Sequence, residues 1–166
     1  MQAIETLYKG CRFRSRLEAR WAVFFDALDK VWHYEPEGFV LEDDICYLPD
    51  FYLPEEKIWI EVKPWTAEGP TDDDLRKCCL LSKHTKQWMV MLVGTPGDLA
   101  QDYQPIVFFD GHVMEPTGDG AHAAHIVVAM MDMAIPPGKP YEKAIAAARQ
   151  ARFEHGQKGP PSAWSS

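Results

Sequence analysis

The sequence has little that ties it to a membrane or to an oxidising compartment. Its 166 residues contain no apolar run near the roughly 20 needed to cross a bilayer. Residues 1–20 lack the apolar segment of a secretion signal. Cysteine is sparse: Cys11, Cys46, Cys78 and Cys79 form neither a CxxC pair nor a zinc-type spacing. That excludes a disulfide framework, and the expectation is reduced thiols in a cytoplasmic protein with no membrane partner. Positive charge is also short, 17 Lys and Arg against 25 Asp and Glu, for a net charge of −8. A chain this acidic is not one that coats nucleic acid nonspecifically. It remains compatible with an enzyme that gathers carboxylates around metal ions. There is no internal repeat.

What is present is a folding sequence. Hydrophobic residues make up 46% and aromatics 12%, enough for a core without staples. One domain is expected over residues 1–155, followed by a disordered Gly/Pro/Ser-rich tail at 156–166. Charge is unevenly placed. Lys9, Arg12, Arg14, Arg16 and Arg20 crowd the N-terminus, and residues 35–74 are acidic. Lys9, Arg12 and Arg14 are the candidate contacts to a DNA backbone, although charge alone does not separate them from a solvated surface.

Hydrophobic periodicity predicts a helix over residues 14–30, with Leu17, Trp21, Phe24, Phe25 and Leu28 on one stripe. Ser15 and Glu18 have the spacing of a capping box. Strands are expected at 31–34, 39–41, 47–53 and 58–62, a helix at 72–83, and a buried strand at 88–93. A hairpin is expected across Asp110-Gly111, an apolar element of either type at 123–134, and a helix at 141–155. The order predicts one α/β domain with a mixed central sheet flanked by helices.

The chemistry concentrates in one hairpin. With residues 54–57 as the loop, Leu53 pairs with Ile58, and counting back sets Asp50 opposite Glu61. Opposed residues share a face, and Lys63, two residues on from Glu61, shares it too. Phe51, Ile58, Ile60 and Val62 take the other face and anchor it, leaving the Asp50–Glu61–Lys63 face turned from the core. Two close carboxylates repel unless a cation lies between them. Mg²⁺, for which Mn²⁺ commonly substitutes, suits oxygen ligands of this kind. Lys63 is placed to stabilise charge on a phosphate or to orient and deprotonate the attacking water.

Tyr47-Leu48-Pro49-Asp50-Phe51, followed by Trp59-Ile60-Glu61-Val62-Lys63-Pro64, resembles the PD-(D/E)XK nuclease superfamily. Residues 14–64 as a whole resemble its small phage or bacterial members. The resemblance implies a restriction-endonuclease-like fold. It implies Asp50 and Glu61 as metal ligands, the Val62 carbonyl as a further ligand, and Lys63 as the catalytic lysine. It also offers Glu18 as an acidic site residue on the preceding helix, where local capping is an equal alternative.

Other candidates carry blander explanations. His122 and His125 have no further ligand at a metal spacing. Trp59 and Trp65 flank the hairpin, where stacking on bases competes with simple packing. Arg149 and Arg152 fit a solvated helix face. The expectation is a Mg²⁺-dependent deoxyribonuclease, an endonuclease selective for DNA structure, with room for a homodimer. The alternative is a noncatalytic nucleic-acid- or protein-binding module on a nuclease-like fold.

Overall fold

The pattern of the strands decides the architecture. β8 (Trp88–Val93) is apolar at every position, and β7 (Ile58–Lys63) is apolar at all but Glu61 and Lys63. Such strands are stable only where both faces of a sheet are covered. The computed structural model describes residues 4–96, 105–114 and 139–153 and has this form. It is a mixed α/β domain built on one six-stranded sheet. The strand order is β10 (His112–Met114), β9 (Ile106–Phe109), β8, β7, β6 (Phe51–Leu53), β3 (His33–Tyr34). The β7–β8 pair is parallel and the other pairings are antiparallel. A parallel pair needs a long crossover, and α2 (Asp72–Thr85) lies in it.

Two cores follow from the period-2 alternation of the strands. Ile58, Ile60, Val62, Val90 and Leu92 face α1 (Arg16–Ala27) and α3 (Lys139–Gln150), with Trp21, Phe24, Phe25, Ala144 and Ala148 packed on them. Trp59, Met89, Met91 and Val93 face α2, where Cys78 and Leu81 meet them. Leu41 and Tyr47 close this second core from a small ribbon of β4 (Phe39–Val40) and β5 (Cys46–Tyr47), joined by a 3-10 turn at Glu42–Asp44.

α1 begins where Ser15 caps it by accepting the Glu18 N–H. It ends three residues before the expected point. Asp29 takes a left-handed conformation at φ 55°, and Lys30 N–H returns to the Phe25 carbonyl at 2.9 Å. That is the Schellman closure, here without glycine. α2 runs to Thr85, two residues beyond expectation, with Thr71 and Asp74 forming a complete capping box.

Two expectations are corrected. Residues 47–53 do not form one strand. Pro49 lacks the N–H that a ladder needs, and the segment breaks into β5 and β6 in different sheets. The face bearing Glu61 and Lys63 is not turned from a core, because α2 and the β4–β5 ribbon cover it. An unexpected hairpin of β1 (Thr6–Tyr8) and β2 (Cys11–Phe13) turns through Lys9-Gly10 and sends Phe13 into the first core. The 123–134 element, His122, His125 and the 156–166 tail lie outside the described residues. No helix among the described residues is long and apolar enough to cross a membrane.

Candidate functional site

The hairpin register is the expected one. Phe51 pairs with Ile60 and Leu53 with Ile58 across residues 54–57, which sets Asp50 against Glu61. Asp50 itself lies just before β6. Its Oδ2 accepts the Val62 N–H at 2.7 Å, so the side chain does what a neighbouring strand's carbonyl would otherwise do. Its backbone carbonyl accepts Glu35 N–H at 2.8 Å, extending the β3–β6 ladder by one residue. Asp50 is 4% exposed and Glu61 7% exposed. Carboxylates buried this deeply persist only with partners.

The partners form a continuous network. Arg14 Nη2 donates to Asp50 Oδ1 at 3.1 Å. The same nitrogen is 2.5 Å from Glu35 Oε1, a charge contact rather than an aligned hydrogen bond. Lys63 Nζ bridges Glu61 Oε1 at 2.9 Å and Asp74 Oδ1 at 2.8 Å. Asp74 is fixed in turn by Thr71, whose N–H and hydroxyl both donate to its Oδ2. Tyr47 donates to Glu61 Oε2 at 2.8 Å. Two cations thus pair with four carboxylates, and Glu18 adds a fifth.

Glu18 follows neither simple role. Its Oε1 accepts the Ser15 hydroxyl at 2.7 Å, and its Oε2 accepts the Arg14 N–H at 3.1 Å and the Tyr34 hydroxyl at 2.5 Å. A capping box would use the Ser15 N–H instead. The carboxylate therefore clamps the chain just ahead of α1, holding the backbone of the arginine that reaches Asp50. It also acts on Asp50 through its charge.

Electrostatics divide the two motif residues. Burial, and then the charge of Glu61, push the Asp50 carboxyl well above its ordinary value, with Glu18 adding to the effect. The Val62 N–H and Arg14 pull the other way and are outweighed. Burial lowers the proton affinity of Lys63, but its bonds to Asp74 and Glu61 reverse that and raise the pKa above its ordinary value. Asp74 is raised by burial, yet the bonds from Lys63 and Thr71 leave it lowered overall.

A cavity of about 200 Å³ opens on this face, lined by Arg14, Tyr47, Glu61, Lys63, Asp74 and Lys77 among others. Asp50 does not line it; Arg14, bonded to its Oδ1, does. No known protein-family model, curated protein or solved structure matches this chain significantly. Among the described residues no group of three or more His, Cys, Asp or Glu side chains is arranged to hold a metal ion.

Of the candidate DNA contacts, the fold brings only Arg14 to the site. Lys9 pairs with Asp26 at 3.0 Å. Asp26 is eight residues along α1 from Glu18, about 12 Å of helix rise. Arg12 pairs with Glu5 at 3.2 Å within the β1–β2 segment. Trp59 is packed in the second core and donates to Gln87 at 2.9 Å, so it offers no stacking face. Trp65 is 52% exposed. Sequence reasoning missed Tyr34, Glu35, Tyr47 and Asp74 as members of the network. Asp74 carried one signal, its position three residues after Thr71. The others carried none.

Proposed function

We propose that this chain is a restriction-endonuclease-like nuclease of PD-(D/E)XK type that hydrolyses DNA phosphodiester bonds with a divalent cation. The observation that carries the reading is the pairing of Asp50 with Glu61. Two carboxylates are buried side by side beside a lysine, and burial, then the charge of Glu61, pushes the Asp50 carboxyl well above its ordinary value. Removing two carboxylates from water is costly, and a fold gains nothing from their mutual repulsion. A cation-binding role accounts for it.

The residues fit Mg²⁺ or Mn²⁺ on chemical grounds. Mg²⁺ is commonly held by one or two carboxylates and keeps its remaining waters, so a three-residue cage is not required. Asp50 and Glu61 would hold the ion, and each carboxylate oxygen retains a lone pair beyond its present partner. When bound, the cation supplies polarisation of the phosphoryl oxygens and acidification of water.

The chain's own residues supply the rest. Lys63, with its raised proton affinity, stays an ammonium at neutral pH. Its role is to stabilise the charge that accumulates on the phosphate, not to accept a proton from water. Asp74 and Glu61 hold its Nζ from two sides. Arg14, bonded to Asp50, would give way to a cation held there and is then placed to turn to a phosphate oxygen.

One observation favours a second reading, a noncatalytic binding module. Each oxygen of Asp50 and Glu61 already has a protein partner, so the network satisfies itself. A single experiment separates the two. Linear, branched and single-stranded DNA are incubated with wild type, Asp50→Ala and Glu61→Ala in Mg²⁺, Mn²⁺ or EDTA. Cation-dependent cleavage lost in both variants is the expected result. No cleavage of any substrate by the wild type leaves the binding module.

A further inference from the structure

Glu61 is held from two elements of different origin. Lys63 reaches Oε1 from the same strand. Tyr47 reaches Oε2 from β5, a strand of the separate two-stranded ribbon. The phenol has one proton, and it goes to Glu61. The 3.6 Å contact between Tyr47 Oη and Cys78 Sγ therefore runs the other way, with the thiol donating to the phenol oxygen. The result is a directional relay from Cys78 on α2, through Tyr47, to Glu61. The Tyr47 ring is 9% exposed in the second core, which keeps the hydroxyl from swinging away.

A plain packing residue at position 47 would need no hydroxyl, because burying one is unfavourable unless it is bonded. We infer that Tyr47 is a positioning residue whose hydroxyl fixes the Glu61 carboxylate in the orientation that receives a divalent cation. The inference rests on the reading of Asp50 and Glu61 as the cation site. Hydrogen bonds that orient metal ligands are typically worth about 10–100-fold in metal affinity or activity.

The test is Tyr47→Phe, which removes one oxygen and keeps the ring. Mn²⁺ is titrated calorimetrically into the full chain, wild type and variant, and DNA cleavage is followed across Mn²⁺ concentrations. The variant is expected to bind Mn²⁺ about 10–100-fold more weakly. Its half-maximal cleavage should move to higher Mn²⁺ by the same factor, with kcat recovered at saturation. Leu81→Val thins the same core, removes no hydrogen-bonding group, and should leave Mn²⁺ affinity unchanged. Equal Mn²⁺ affinity in Tyr47→Phe and wild type overturns the inference and leaves the nuclease reading standing. An equal loss in Leu81→Val also overturns it, because the effect is then one of packing. A wild type that binds no Mn²⁺ overturns both.

Discussion

Replacing Asp50 by Asn in the cation-free protein should make it more stable at neutral pH. The Asp50 carboxyl is pushed well above its ordinary value of 3.8 by burial and by Glu61. The folded protein therefore holds that proton more tightly than the unfolded chain does. The contribution of the group to stability is fully present below pH 3.8 and is lost as pH rises through the elevated folded value. Each unit of elevation is worth about 1.4 kcal/mol. Asn cannot ionise, its side-chain carbonyl can still accept the Val62 N–H, and Arg14, turned away by the amide NH2, keeps its Glu35 partner. Asp50→Ala removes the repulsion as well but strands that buried N–H, at a cost of about 1–3 kcal/mol. The expected order at pH 8 in EDTA is Asn above wild type, with Ala below Asn by about 1–3 kcal/mol. Toward pH 4 the gap between Asn and wild type should close. Urea unfolding at several pH values measures all three. An Asn variant less stable than wild type at pH 8 would refute the electrostatic reasoning, whatever the function of the site.

Lys63→Met should keep Mn²⁺ binding largely intact in calorimetry, since an ammonium is not a ligand, yet lower the cleavage rate by about 100-fold or more. Arg14→Ala should tighten Mn²⁺ binding by about tenfold, the equivalent of one charge-assisted hydrogen bond of about 1.5 kcal/mol, while weakening DNA binding in a gel-shift titration. Glu18→Ala releases three donors at the start of α1. Thermal melting should show a loss of about 1–3 kcal/mol, and cleavage should fall less steeply than in Asp50→Ala. If Glu18→Ala keeps full thermal stability but loses all cleavage, Glu18 belongs to the reacting centre rather than to the clamp.

The local elements and the hairpin were legible from residue order alone. Leu53 and Ile58 flank a four-residue loop, and strand parity then sets Asp50 against Glu61 and puts Lys63 on the same face. Ser15 marked the start of α1 because a hydroxyl at an N-cap acts within a few residues. The all-apolar run of β8 signalled a buried strand, though not what covers each of its faces. That depended on where α2, α1 and α3 pack, and long-range packing leaves no fixed spacing in the chain. For the same reason residues 47–53 read as one strand, until the demands of two different sheets on either side of Pro49 divided it. The placement of Asp50, Glu61 and Lys63 was thus written in the sequence, because the three are local to one hairpin. The partners Arg14, Tyr47 and Asp74 reach these residues over 11 to 36 residues of chain. Only the folded arrangement could decide that the carboxylates sit buried and paired, and that the Asp50 carboxyl is pushed above its ordinary value.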